Sequence, residues 1–260
     1  MKVERQCKIL EKKHLSADAI SLTLEAGDMV STSQAHPGQF VHIKCGEGQL
    51  LRRPISVCSW TMSRTGDTLT IVFEVRGEGT AWLARRQAGE TLDVLGLLGN
   101  GFLIRPGIHL LVGGGIGVPP MLWCARETGG ASTAILGFRS GDRAILLDEF
   151  RQSCARTLIA TDDGSLGFHG FVDALVRNEL VTQAPGYYES ILACGPKPML
   201  RSVARVAEEF GVPCQVSMEE RMGCGVGACL VCACDMRDGT RKHVCKDGPV
   251  FDSREVNWDA

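Results

Sequence analysis

Short apolar runs that alternate with polar residues fill the first hundred positions of the chain. AISLTLEA, QFVHIKC, ISVCSW, TLTIVFEVR and ETLDVLGLL are each apolar and often β-branched. In an extended chain every second side chain faces the same way, so this period predicts strands with one buried face. Turn formers separate the runs, in AHPGQ, GEGQ, SRTGDT and RGEGT. Strands at this spacing predict a small antiparallel barrel over residues 1–102.

From residue 103 the pattern changes. IHLLVGGGIG is a buried strand ending in glycines, and VPPMLWCARETGG after it can begin a helix. TAILGFRS, TLIATDDGS and YESILACGP are further apolar strands, and FVDALVRNELV and PKPMLRSVARVAEEFGV carry helical spacing. Strands alternating with helices predict a doubly wound parallel sheet over 103–213. Residues 214–260 are glycine- and cysteine-rich and too few for an apolar core of their own. They need a metal centre or neighbouring structure to hold a shape.

Composition narrows the classes of function. Hydrophobic residues make up 44% and charged residues 22% of the 260 positions, an ordinary globular balance. The formal net charge of −2 and the lack of basic clusters argue against a nucleic-acid surface. The start, MKVERQCKILEKKHLSADAI, has charges throughout and no apolar stretch, and no apolar run of ~18 residues follows. The expected location is therefore the cytoplasm, with no membrane association.

The twelve cysteines then become informative. Cys7, Cys45, Cys58, Cys124 and Cys154 stand singly and read as small buried hydrophobes. Cys224, Cys229, Cys232, Cys234 and Cys245 crowd the C-terminal stretch EERMGCGVGACLVCACDMRDGTRKHVCKDGP. The spacing C-x4-C-x2-C with a distant fourth cysteine is that of plant-type [2Fe–2S] sites, with Cys224, Cys229, Cys232 and Cys245 as ligands. Gly223, Gly225, Gly227 and Ala228 allow the backbone close to the sulfurs, and RKHVC brings the fourth ligand from a strand-like segment. Structural zinc is the rival, but it prefers a second C-x2–4-C knuckle, and Cys245 stands alone. Cys234 reads as a buried neighbour.

LLVGGGIGVPPML places Gly113, Gly114, Gly115 and Gly117 between a strand and a helix, where backbone N–H groups can meet a pyrophosphate. Proline stands where a third fingerprint glycine belongs, and glycines also serve plain turns. Cys194 and Gly195, in ACGPKPML, end a later strand and could border a nicotinamide. In the barrel half, Arg53 and Ser56 of RRPIS could bond a phosphate, as could the turn GEGT with Gly79 and Thr80. From the residues alone, an ordinary surface arginine and an ordinary turn are the favoured reading of these.

The elements follow one another in the order RPIS, GEGT, GNGF, GGGIGVPP, DDGS, CGP. That order resembles the ferredoxin–NADP⁺ reductase superfamily, a flavin-binding barrel followed by a pyridine-nucleotide domain. RRPIS, GLLGNGF, TDDGSLGFHG, ACGPKPML and above all SMEERMGCGVGACLVCAC with HVCKDGPVF resemble the electron-transfer subunits of NAD-dependent dihydroorotate dehydrogenase. The resemblance implies FAD held by Arg53, Pro54, Ile55 and Ser56, by Val72, Phe73 and Glu74, and by Gly79 and Thr80. It implies a [2Fe–2S] cluster on the four cysteines. Electrons from an FMN-containing catalytic partner would pass through the cluster and FAD to NAD⁺ at Gly113–Gly117, in a heterotetramer of two plus two. Ile55 stands where the wider superfamily usually has an aromatic residue that stacks on flavin. Two other readings are a related flavin/iron–sulfur subunit of an NAD(P)H–ferredoxin or sulfide-type oxidoreductase, and a zinc-stabilised binding module. For the nucleotide, GFRSGD offers Arg139 and Ser140 before the first acidic residue, Asp142, while the resemblance favours NAD over NADP.

Overall fold

A computed structural model of the chain describes residues 3–27, 29, 35–63 and 66–260. The expected SRTGDT turn lies partly outside them, at positions 64 and 65. Six strands close into an antiparallel barrel: β1 (Val3–His14), β2 (Ala19–Gly27), β3 (Phe40–Ile43), β4 (Arg53–Thr61), β5 (Asp67–Glu74) and β6 (Thr91–Leu98), in the order β1-β2-β5-β4-β3-β6. Ile9, Leu22, Leu24, Val41, Ile43, Val57, Leu69, Ile71, Leu92 and Val94 fill it and are fully buried. The first strand was not among those expected. Its inward Cys7 and Ile9 alternate with Gln6, Lys8 and Leu10, and the outward charges hide the period. Pairing with both β2 and β6, β1 closes the barrel and leaves no open edge.

A short helix, α1 (Glu78–Ala84), leaves the barrel after β5. The GEGT segment is thus a helix start rather than a free turn. Thr80 Oγ1 accepts from the Arg76 and Gly77 N–H groups at 2.9 and 3.1 Å, the local bonding that stabilises a helix N-terminus.

The second half is a seven-stranded sheet, with β7 (His109–Gly114), β8 (Thr133–Phe138), β9 (Arg156–Thr161), β10 (Phe168–His169), β11 (Ser190–Cys194), β12 (Cys214–Ser217) and a late strand, Val250–Asp252. The order is β10-β9-β8-β7-β11-β12 and then the late strand, all parallel except the last. The helices are α2 (Val118–Glu127), α3 (Leu147–Ser153), α4 (Val172–Thr182) and α5 (Lys197–Glu209). From β7 the strands run outward through β8 and β9, and β11 then starts afresh on β7's other side. That reversal opens a crevice at the C-terminal ends of β7 and β11.

Residues after 213 are built into this sheet as well as beyond it. Between β12 and the late strand lie the cysteine loop and a hairpin, β13 (Ala233–Asp235) and β14 (Arg241–His243); the late strand is β15. Cys232, Cys234, Met236, Val244, Cys245 and Phe251 share one core with Leu200, Val203 and Val216. Asn100, from GNGF, donates to the carbonyls of Lys246 and Asp247 at 3.1 and 3.0 Å and ties the barrel's end to the cysteine module. Trp123 of α2 enters the barrel core, and Val72 and Cys58 of the barrel pack with Leu111 and Met121. Arg143 pairs with Asp18 across the same junction. Among the described residues, no helix is long and apolar enough to cross a membrane.

Candidate functional site

The loop from Gly223 to Cys232 curls back on itself at Gly225 and Gly227, with φ +71 and +82, where a side chain would be strained. The curl aims backbone N–H groups at sulfur. Those of Val226, Ala228 and Cys229 donate to Cys224 Sγ at 3.4, 3.2 and 3.4 Å, and Gly227 donates to Cys245 Sγ at 3.1 Å. The four thiols form two pairs. Cys224 N donates to Cys229 Sγ and Cys245 N to Cys232 Sγ, both at 3.4 Å. Among the described residues, no group of three or more His, Cys, Asp or Glu is arranged to hold a single metal ion. Two thiol pairs ringed by N–H donors fit a binuclear cluster with two thiolates on each iron. Cys245 lies two residues beyond the end of β14, in the turn that follows it. Cys234 is buried on β13 and reaches only toward the Asp235 carbonyl, at 4.0 Å.

The thiols differ in readiness. Burial pushes Cys224 up, but the N–H groups of Val226, Cys229 and Ala228, with the Cys229 thiol, outweigh it and bring Cys224 down to about 6. Burial, with Cys232 beside it, pushes Cys245 up to about 12. A metal taking both ligands must expel the Cys245 proton.

The flavin candidates meet at one rim of the barrel. The Val57↔Ile71 pairing runs the start of β4 beside the end of β5, which leads directly into α1. Arg53 lies across the start of this helix: a Cβ on Gly79 would fall 2.5 Å from its Nε. Its guanidinium donates to Gln49 Oε1 at 2.6 Å and to the Leu51 carbonyl. Pro54 is exposed and Ser56 half-buried. Ile55 and Phe73 are buried in the barrel core, whereas Val72 faces the sheet domain. Glu74 pairs with Arg76 at 2.7 Å. A cavity of about 360 Å³ adjoins this rim, lined by Cys45, Gln49, Glu78 and Trp82 among others. Neither Gln49 nor Trp82 carried a sequence signal. Another cavity, of about 200 Å³, lies far from these segments, between α5 and the C-terminal tail.

The glycine turn and the CGP segment converge at the crevice. A Cβ on Gly117 would lie 2.4 Å from the Cys194 carbonyl oxygen and 2.6 Å from Gly195 Cα, and one on Gly114 would strike Met199. Gly115 has φ +54, and nothing lies within 4 Å of its missing side chain. The turn therefore packs tightly against β11 at Gly117 and leaves open space at Gly115. Burial pushes the Cys194 thiol up to about 12, so it is neutral and no nucleophile.

Two residues that sequence reasoning missed lie between these parts. Glu219, five residues before the first cluster cysteine, is in electrostatic reach of Glu74, Arg76 and Cys194. Its outer edge is open to solvent, yet burial among protein atoms raises its carboxyl, with Arg76 opposing and Glu74 adding. His42, fully buried on β3, lies beneath Gly225. Burial and then the Arg52 charge bring its imidazole down to about 4.

A closed barrel joined to a parallel sheet with a crevice at its switch point defines a flavin-reductase-like oxidoreductase fold, here carrying an iron–sulfur domain. Residues 219–257 match the iron–sulfur cluster binding domain of dihydroorotate dehydrogenase B. The electron transfer subunit of dihydroorotate dehydrogenase B (NAD(+)) from Caldanaerobacter subterraneus subsp. tengcongensis is 35% identical over 98% of this chain and 99% of its own length. The Bacillus caldolyticus subunit of the same name is 43% identical over 85% and 86%. The solved NADH-dependent reduced ferredoxin-NADP oxidoreductase structure, described for flavin-based electron bifurcation, superposes with a TM-score of 0.85 at 33% identity, over 98% of this chain and 91% of that one. The chain belongs to the family of electron-transfer subunits of NAD⁺-dependent dihydroorotate dehydrogenase B. It is an oxidoreductase subunit for electron transfer, and its cofactors are FAD, a [2Fe–2S] cluster and NAD.

Proposed function

We propose that this chain takes electrons at its cysteine loop from a partner subunit that oxidises dihydroorotate on FMN, and delivers them to NAD⁺ in pyrimidine biosynthesis. When bound, the cluster supplies one-electron transfer and the flavin the exchange between one- and two-electron chemistry. Cys224, Cys229, Cys232 and Cys245 hold the cluster. Arg53, Pro54, Ile55 and Ser56, with Val72, Phe73 and Glu74 and with Gly79 and Thr80, hold FAD, Ile55 and Phe73 through their backbone because their side chains fill the barrel. The cavity beside Gln49 and Trp82 takes the flavin's adenosine end. Gly113, Gly114, Gly115 and Gly117, with Cys194 and Gly195, receive the nucleotide. The Asp142 carboxylate, in the turn that follows β8 and bonded by the Ser140 hydroxyl, supports NAD over a 2′-phosphate.

The observation that carries this reading is the cysteine loop, with Cys229 exposed and Cys232 and Cys245 buried behind it, resting on β3 beside the flavin strand β4. The loop also presents Leu230 and Val231 outward, 60% and 57% exposed. Apolar side chains beside a redox centre suit a covering partner. The assembly is a heterotetramer of two plus two in the cytoplasm.

Co-expression with a dihydroorotate dehydrogenase catalytic subunit tests the reaction. The expected result is dihydroorotate-dependent NAD⁺ reduction by the purified complex, and none by either subunit alone. The similarity to the ferredoxin-linked enzyme supports a second reading, a subunit of an NAD(P)H–ferredoxin oxidoreductase. NADH-linked ferredoxin reduction without any dihydroorotate activity selects that reading instead. The covering role predicts that Leu230→Glu keeps FAD and iron but elutes free of its partner in size-exclusion chromatography, because a buried unpaired carboxylate opposes association.

A further inference from the structure

On β3 the side chains of Val41 and Ile43 enter the barrel, so alternation turns Phe40 and His42 outward. Phe40 joins the core that contains Cys232, Val244 and Cys245. His42, with no exposed surface, lies under the cluster loop: a Cβ on Gly225 would fall 2.6 Å from its Nδ1 and 3.2 Å from its Cε1. Across the ladder His42 pairs with Pro54 of the flavin strand. The backbone carbonyls of Arg52 and Cys224 lie close enough to favour a proton on its ring, but no hydrogen bond of good geometry reaches either ring nitrogen. Buried polar atoms are almost always bonded, and a leucine or phenylalanine would pack here without leaving two of them bare. The polarity of this position therefore calls for a bonding role that the closed cluster loop completes.

The geometry points to His42 as a positioning residue for the first cluster ligand: one imidazole, held between β4 and the Cys224–Gly225 peptide, fixes the loop against the flavin rim. The inference rests on the reading of Cys224 as a ligand and of β4 as the flavin strand. A neutral ring has one N–H to give, and groups that orient a ligand from behind also tune the metal it holds.

The test uses the full chain with its partner, purified anaerobically as His42→Leu and His42→Gln. The readouts are iron and FAD content, the electron paramagnetic resonance spectrum of the reduced cluster, and its midpoint potential. His42→Leu is expected to alter the spectrum and to move the cluster–flavin electron equilibrium about tenfold, which is about 59 mV for one electron. His42→Gln, which restores an N–H donor, is expected to return both readouts toward the parent. Parent-like spectrum and potential in His42→Leu overturn the inference. Equal displacement, or equal loss of iron, in both variants also overturns it, because packing alone would act so. If His42→Leu fails to fold, a parent-like His42→Gln supports the role and a displaced one refutes it. A parent protein with no iron–sulfur signal instead refutes the cluster reading itself.

Discussion

Cys245→Ser is expected to purify with FAD but without iron–sulfur absorbance, and to lose NAD⁺ reduction driven by the partner. The loss should exceed the roughly 10–100-fold that removing a supporting residue costs a metal site, since a ligand itself is removed. Cys245 is the partner of Cys232 in one thiol pair and receives the Gly227 N–H, so serine leaves one side of a binuclear site with a single sulfur. The fold should survive, because Val244 and Phe251 anchor this segment in the core on either side. Cys234→Ala is the matched control. Its sulfur is buried and reaches toward the Asp235 carbonyl rather than bonding to either pair, so iron content, colour and turnover should stay at the parent level. Iron analysis with visible spectroscopy decides between them. A Cys245→Ser protein with full iron would falsify the assignment of the fourth ligand, and a Cys234→Ala protein without iron would move that role to Cys234.

The alternating strands β2 to β6 were legible because one face of each is apolar throughout, and the helices because α2 and α5 carry long buried stripes. β1 was not, since its exposed lysines and glutamates break the apolar pattern that its inward Cys7 and Ile9 would otherwise show. The late strand Val250–Asp252 has only three residues, and its place in the sheet is set by pairing with β12, which local pattern does not encode. The cluster cysteines could be read directly because their chemistry is compressed into one short loop. Arg53 and Gly79 are 26 positions apart, and the β4–β5 pairing, which no local pattern registers, brings them into contact. His42 looked like one more outward residue of a strand. Its meaning depends on Gly225, far along the chain, resting on its ring.

The same long-range contact makes Arg53 the most consequential residue of the flavin rim. Its guanidinium is held by Gln49 and the Leu51 carbonyl and lies against Gly79, so the planar fork is aligned along the helix start. A pyrophosphate at this rim would receive two parallel N–H bonds from a group that cannot lose its charge. Arg53→Ala is therefore expected to weaken FAD binding by about 3 kcal/mol, or roughly 150-fold, within the range for truncating one side of a buried charged pair. Arg53→Lys should recover only part of this, because an ammonium cannot span two oxygens in a fixed plane. Both variants should keep their iron, because the Arg53 guanidinium bonds to Gln49, Leu51 and Arg52 and to none of the four thiols. FAD titration of the flavin-depleted protein measures the effect, and unchanged affinity in Arg53→Ala would take the pyrophosphate away from this residue. The cluster colour, read in the same samples, separates a local loss of flavin from collapse of the whole chain.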